Sequence, residues 1–139
     1  MVVREAVSKV FANRLDVQAA YIFGSVVTGR ARPNSDIDIA VLVHPKVMRG
    51  DTLKYRLDLI ADLSSALQRS DVDVVLVNQA TPALAHNIIT KGVLVFERSR
   101  SARIAFQIRT LNIYMDTEPM RRLQLESLKR RYLGDRTSG

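Results

Sequence analysis

Two aspartates one residue apart, Asp36 and Asp38, begin an apolar segment of the 139-residue chain that reads DIDIAVLV. If this segment is a β-strand, both carboxylates point to the same face and lie about 6–7 Å apart. Like charges at that distance repel each other, and aspartate is depleted in strands in any case. Hard divalent cations such as Mg²⁺ prefer carboxylate oxygens and usually share them with substrate phosphates. The pair therefore indicates a metal site, although an exposed strand edge after a turn has the same pattern.

A third carboxylate, Asp73, lies on the next apolar segment, DVDVVLVN at residues 71–78. If the two strands pair in sequence order, Asp73 reaches the face that carries Asp36 and Asp38. Two divalent ions about 3.5–4 Å apart can stabilise both the attacking and the leaving oxygen of a phosphoryl displacement. The three acids are candidate ligands for such ions, whereas Asp71 is as easily a turn residue.

The turn that precedes the first two acids is a candidate phosphate site. Gly24 ends the apolar run AAYIFG at residues 19–24, and without a Cβ it lets a ligand approach the backbone closely. We expect Ser25 to begin a short helix, and the first N–H groups of a helix are unpaired while its dipole favours anions. Together with the three acids, Gly24 and Ser25 predict a site for a metal-bound nucleotide.

Apolar periodicity and turn residues predict the elements that must position these side chains. Strands are expected at residues 19–24, 36–43, 71–78 and 93–97, and helices at residues 2–14, within 49–69, from Thr81 to about Gly92, and over 100–132. Pro119 should interrupt the last helix, because it disfavours helical geometry at Glu118. Helices thus alternate with strands in an α/β or α+β arrangement that ends in a helical tail.

The helix within residues 49–69 has the strongest helical pattern of the chain. Its apolar residues follow one stripe that we expect to be buried: Leu53, Leu57, Ile60, Leu63 and Leu67. Asp51 or Thr52 is the expected N-cap.

The charge of the chain is concentrated in its C-terminal segment. Residues 1–97 hold 11 Lys/Arg and 10 Asp/Glu, whereas residues 98–139 hold 10 and 4, which accounts for +6 of the net charge of +7. Such a segment suits contact with an acidic partner protein or with nucleic acid, and equally a solvated helix face.

The composition excludes several classes of protein. The chain has no cysteine, which rules out disulfides, thiolate nucleophiles and cysteine-type zinc sites. No apolar run approaches the roughly 18–20 residues that cross a bilayer, and the charged N-terminus lacks the apolar centre of a signal peptide. We therefore expect a cytoplasmic protein with no membrane segment.

Gly24-Ser25, followed after ten residues by Asp36-Ile37-Asp38, resembles the signature of the DNA polymerase β-like nucleotidyltransferases. Within that superfamily the chain is similar to the MNT-type minimal nucleotidyltransferases, which occur as antitoxins beside HEPN-domain toxins. The stretches DVDVVLVNQATPALAHNIITKGVLVFE and YMDTEP also look like that group. The resemblance implies a mixed β-sheet flanked by helices. It divides the chain into a minimal nucleotidyltransferase domain at residues 1–97 and a basic helical tail at 98–139, which packs on that domain or on a partner in a single domain overall.

The resemblance also implies a role for each acid. Asp36 and Asp38 would bind two Mg²⁺ ions, and Asp73 would complete the shell of the catalytic ion and help to deprotonate the acceptor hydroxyl. Gly24 and Ser25 would hold the β- and γ-phosphates of the nucleotide.

Arg30 is a further candidate for a phosphate contact, with a solvated arginine as its ordinary alternative. The relatives implied by this resemblance transfer AMP from ATP to a tyrosine of the partner toxin and so block its ribonuclease activity. The same activity and a complex with a HEPN toxin are the function that we expect here; direct binding of nucleic acid is less favoured. Two alternatives stay open at this point: an antitoxin that neutralises the toxin by binding alone, and a nucleotidyltransferase that acts on a small molecule such as an aminoglycoside.

Overall fold

The computed structural model describes residues 2–24 and 36–137 of the chain. These ranges contain five helices and four strands. In chain order they are α1 (Val2–Ala12), β1 (Val17–Phe23), β2 (Ile37–Val43), α2 (Thr52–Leu67), β3 (Val72–Leu76), α3 (Pro82–Lys91), β4 (Val93–Glu97), α4 (Arg100–Asp116) and α5 (Glu118–Thr137). Short 3₁₀ turns at Pro45–Arg49 and Val77–Gln79 follow β2 and β3. Ser25 and Arg30, two of the residues predicted to bind phosphate, lie outside the described residues.

The four strands form one mixed sheet in the order β3-β2-β1-β4. β1 runs antiparallel to β2 and to β4, whereas β2 and β3 are parallel neighbours. A parallel pair needs a long crossover connection, and α2 supplies it. The α+β arrangement with a mixed sheet is therefore confirmed, and so is the pairing of the two acid-bearing strands in sequence order.

Helices cover both faces of the sheet and create two apolar clusters. α1 and α2 pack on one face, against side chains that include Ile37, Ile39 and Val41. α3 and α4 pack on the other face, against side chains that include Ala40 and Leu42. Because successive strand residues point to opposite faces, Asp38 shares the second face with Ala40 and Leu42. Burial on both sides of β2 therefore fixes the direction of the Asp38 side chain.

The buried face of α2 differs from the predicted stripe. Leu59 and Leu63 are fully buried, whereas Leu53 and Leu57 are 60% and 52% exposed. At about 100° per residue, Leu57 lies almost opposite Leu59 on the helix, so one face cannot bury both. Apolar residues cover most of this helix, and packing against the sheet selects the face centred near Leu63. The N-cap is Asp51, which accepts a hydrogen bond from the Lys54 backbone N–H.

The helical tail divides into two unequal parts. α4 buries Phe106 and Thr110 against the second face of the sheet, whereas no side chain described in α5 is buried. The helix breaks at Thr117, just before Pro119, as the sequence predicts. Among the described residues, no helix is both long and apolar enough to cross a membrane.

Candidate active site

Asp38 and Asp73 lie directly opposite each other on neighbouring parallel strands. In the register of the sheet, Phe23 of β1 pairs with Asp38 of β2, and Asp38 pairs with Asp73 of β3. Adjacent strands are about 4.8 Å apart, so the two carboxylates share one face at nearest-neighbour distance. Asp36 is exposed and immediately precedes β2. The structure therefore pairs Asp38 with Asp73 and places Asp36 at the start of the same strand, close enough for its charge to act on Asp38.

The electrostatics of this acid set oppose its ionisation. The pKa of the Asp38 carboxyl is raised above its usual value, first because burial disfavours the charged form and then because Asp73 and Asp36 are negatively charged neighbours. An ionised Asp38 is therefore costly in the protein alone. A cation between these carboxylates would remove that cost.

Asp73 has contacts of its own at the edge of the sheet. Its Oδ1 accepts a hydrogen bond of 2.9 Å from the Val74 backbone N–H. The same Oδ1 faces the Arg56 guanidinium of α2, with Nη2 at 3.9 Å. The side chain of Asp73 is half exposed, which leaves it accessible to a ligand.

Gly24 supports Asp38 from the end of β1. Its φ of +90° lies in the region that favours glycine, and a Cβ at this position would come within 2.5 Å of the Asp38 Oδ2. The sequence suggests glycine here for the approach of a phosphate. The structure adds a second reason: the Asp38 carboxylate itself lies against the glycine backbone.

Asp71 stands apart from the acid set. Arg69 forms a bidentate ion pair with it, with Nε donating to Oδ1 at 2.7 Å and Nη2 to Oδ2. The hydrogen bond from Arg69 is the main reason that the pKa of the Asp71 carboxyl is lowered. The Asp71 carbonyl accepts a hydrogen bond of 2.9 Å from the Ile37 N–H and so helps to align β2 with β3. Asp71 is therefore a structural residue, the ordinary alternative considered from the sequence.

The acid set has the right donors for Mg²⁺ but does not form a ready-made cage. Within residues 2–24 and 36–137, no group of three carboxylate or imidazole side chains converges closely enough to hold a metal. Mg²⁺ usually keeps several waters and binds one or two carboxylates together with substrate phosphates, so such a cage is not required. Oxygen donors on adjacent strands and the raised pKa of Asp38 both fit a divalent cation.

Residues 5–101 match the family described as polymerase beta, nucleotidyltransferase. The chain belongs to this family. It is 32% identical over 114 residues to the protein adenylyltransferase MntA of Shewanella oneidensis, which covers 81% of this chain and 76% of that relative. The resemblance inferred from the Gly-Ser and Asp-x-Asp spacing is thereby confirmed.

Solved structures of toxin–antitoxin complexes have the same fold. A crystal structure of a toxin–antitoxin with AMP-PNP matches with a TM-score of 0.76 at 28% identity, over 90% of this chain and 97% of that one. A tri-AMPylated Shewanella oneidensis HEPN toxin in complex with an MNT antitoxin matches with a TM-score of 0.70 at 26% identity, over 91% and 95% of the two chains.

Arg56 and Arg69 are site neighbours that the sequence did not single out. Arg56 faces Asp73 of β3, and Arg69 pairs with Asp71 in the loop before that strand. The negative charge of Asp36 also helps to raise the pKa of Arg69. Arg69 precedes Asp71 by two residues, so its local pairing could have been predicted. Arg56 lies 17 residues before Asp73, and only the packing of α2 beside β3 brings them together.

The close approach of Gly24 to Asp38 predicts the effect of a methyl group there. Gly24→Ala forces the Asp38 carboxylate to move and strains the backbone, so nucleotidyl transfer from labelled ATP should fall by about 100-fold or more. Gly50→Ala is the matched control, because its Cβ would meet only the Val47 carbonyl oxygen at 3.8 Å. Full activity of Gly24→Ala would contradict this account.

The raised pKa of Asp38 predicts that its charge destabilises the fold. Because the folded-state pKa exceeds the unfolded value, the destabilisation is complete above the folded pKa and disappears as the pH falls through it. In a buffer with EDTA at pH 8, Asp38→Asn should raise Tm by roughly 2 °C, and the gain should vanish near about pH 4. Differential scanning calorimetry checks this, with the exposed Asp58→Asn as a control that should barely shift Tm at either pH. A lower Tm for Asp38→Asn at pH 8 would refute it.

Proposed function

We propose that this protein transfers AMP from ATP to a tyrosine of a HEPN-type ribonuclease toxin in a Mg²⁺-dependent reaction, and so acts as the antitoxin of that toxin. The observation that carries the proposal is the pairing of Asp38 with Asp73 beside Gly24, in a chain that belongs to the nucleotidyltransferase family. Relatives named as a protein adenylyltransferase and as the antitoxin of an AMPylated HEPN toxin support the acceptor. We place the pair in the cytoplasm, and that location stays a prediction.

Each candidate residue has a task in this reaction. Asp36, Asp38 and Asp73 would hold two Mg²⁺ ions. When bound, these ions neutralise the triphosphate and favour ionisation of the acceptor hydroxyl. Gly24 and Ser25 would bind the β- and γ-phosphates through backbone N–H groups, which are strong donors to anionic oxygen.

Arg30 follows Ser25 by five residues in the sequence and would add a cation beside the phosphates. Its guanidinium can donate two parallel hydrogen bonds to phosphate oxygens. With Gly24 and Ser25, it would hold the leaving group of the reaction.

The chemical step is a displacement at the α-phosphorus of ATP. The tyrosine oxygen forms a bond to that phosphorus, the bond to the oxygen that bridges to the β-phosphate breaks, and pyrophosphate leaves. Asp73 would take the hydroxyl proton, because it lies at the accessible edge strand, whereas Asp38 is more enclosed. Positioning and charge stabilisation supply most of the rate enhancement in such reactions.

The tail would provide the surface that the toxin binds. α5 packs only lightly on α4 and leaves apolar side chains in solvent, among them Leu123, Leu125, Leu128 and Leu133. Leu125 and Leu128 are three residues apart and share one side of the helix, and exposed apolar patches are typical of protein interfaces. The surrounding arginines make the same surface strongly basic, which suits an acidic partner.

The catalytic proposal is tested with Mg²⁺, α-labelled ATP and the purified HEPN toxin. Wild type should label the toxin, whereas Asp38→Asn and Asp73→Asn should reduce the rate by about 10³-fold or more, because charge stabilisation and proton transfer are lost. Asp58→Asn is the control, an exposed acid of α2 that should transfer at the wild-type rate. EDTA should abolish transfer.

Three outcomes would contradict the catalytic proposal. Transfer that survives Asp38→Asn would exclude the acid set as the active site. Label that enters only a small molecule would change the acceptor. Full neutralisation of the toxin by Asp38→Asn, without transfer by wild type, would identify an antitoxin that acts by binding alone.

The docking proposal is tested on α5. The double variant Leu125→Glu/Leu128→Glu replaces two side chains that are 53% and 48% exposed. Its affinity for the toxin, measured by isothermal titration calorimetry, should fall at least about tenfold with Tm unchanged, because truncating apolar anchors of an interface costs more than about 1 kcal/mol. Leu53→Glu on α2, at a position 60% exposed, should leave the affinity unaltered. Equal affinity for wild type and the double variant would exclude this surface.

A further inference from the structure

Arg56 occupies a core-facing position of α2. It is three and seven residues before Leu59 and Leu63, which are both fully buried, so the three residues share one face of the helix. Arginine is rarely placed there without a partner. Its Nε is buried and makes no hydrogen bond within the described part of the chain, whereas the side chain as a whole is 40% exposed. The apolar stem is therefore held against the core, and the guanidinium emerges beside the sheet.

The guanidinium emerges next to the third acid of the candidate active site. Arg56 Nη2 is 3.9 Å from the Asp73 Oδ1, on the edge strand β3. The same Oδ1 accepts the hydrogen bond from the Val74 N–H. Both described contacts of this carboxylate therefore end on one oxygen, which leaves Oδ2 for a ligand.

Stability does not explain this arrangement. An ion pair at half-exposed positions contributes little to folding, and a buried N–H without a partner is unfavourable. Leu or Met at position 56 would suit the buried face of α2 better.

We propose that Arg56 is the positioning residue of Asp73: it holds Oδ1 at the β3 edge so that Oδ2 is directed to the acceptor and the cation. The inference rests on the proposed function for the identity of the acceptor. Arg56 also adds a positive charge beside the Asp73 carboxylate, so it repels a divalent cation that binds there. Removal of the Arg56 charge should therefore strengthen cation binding and slow AMP transfer.

Arg56→Gln is the test of this inference, with Mn²⁺ as the cation. In the absence of nucleotide, the Kd for Mn²⁺ measured by electron paramagnetic resonance should decrease about threefold, because one screened positive charge is lost. The kcat of AMP transfer to the toxin should fall about tenfold, since Asp73 loses its orientation. The KM for ATP should stay within about twofold of the wild-type value, because the phosphates would bind on the Gly24 side.

A conservative and a remote variant separate positioning from a structural role. Arg56→Lys keeps the charge, so it should show the wild-type Kd for Mn²⁺ and recover part of kcat. Arg14→Gln breaks the ion pair that Arg14, in the loop after α1, forms with Asp62 of α2, and it should match wild type in both measurements.

Either of two results would overturn the inference. One is a kcat of Arg56→Gln within about twofold of wild type. The other is a parallel loss of Mn²⁺ affinity and kcat, which would indicate general damage to the fold. A wild type that labels no toxin, while Arg56→Gln still binds Mn²⁺ more tightly, would refute the proposed acceptor and keep the pairing of Arg56 with Asp73.

Discussion

The parallel register of β2 and β3 is the constraint on which the rest of the structure depends. It places Asp38 opposite Asp73, and a slip of one residue would send every side chain of β3 to the other face. Ile39 and Val74, which also pair across the two strands, prevent that slip because both are buried between the sheet and the helices α1 and α2. Apolar burial on one face therefore forces two like charges together on the other.

The surroundings of Asp38 are locally frustrated, which means that they oppose the stability of the fold. The raised pKa of Asp38 records the cost of burial and of two negative neighbours. Gly24 intensifies this cost, since it lets the carboxylate lie against the backbone, where a larger residue would have pushed it into water. A chain selected for stability alone would carry other residues at these positions. A divalent cation bound between these carboxylates would relieve the cost.

How much of the site can be predicted from the sequence depends on how local each signal is. Gly24, Asp36 and Asp38 lie close together in the chain, so their spacing alone points to them. Asp73 requires only the assumption that consecutive strands pair, which holds here. The prediction of the buried face of α2 was wrong at Leu53 and Leu57. Apolar residues lie on most sides of this helix, so periodicity alone cannot decide which side is buried.

Arg56 shows why the remainder could not be predicted. The sequence analysis did not single out Arg56, although it precedes Ile60 and Leu63 of the predicted stripe by one and two helical turns. What the sequence does not show is that this side of α2 packs beside β3, which brings the Arg56 guanidinium next to Asp73. The predicted and the observed buried faces of α2 differ by a rotation of roughly 60° about the helix axis, and Arg56 lies on the side that they share. Tertiary packing settles the surroundings of Asp73.

The tail has an architecture that the nucleotidyltransferase fold does not require. The family match ends at residue 101, just after α4 begins, yet α4 continues to Asp116 and α5 to Thr137. Tyr114 is stacked between the His86 ring at 3.7 Å and the Arg121 guanidinium at 3.6 Å, so the start of α5 is held in a defined orientation on α3 and α4. α4 also carries a second, outward apolar stripe at helical spacing: Ile104, Ile108, Leu111 and Met115. Scattered exposed leucines need no explanation, but a regular stripe on an anchored helix does. α4 therefore carries apolar residues on two faces, and the sheet buries only one of them.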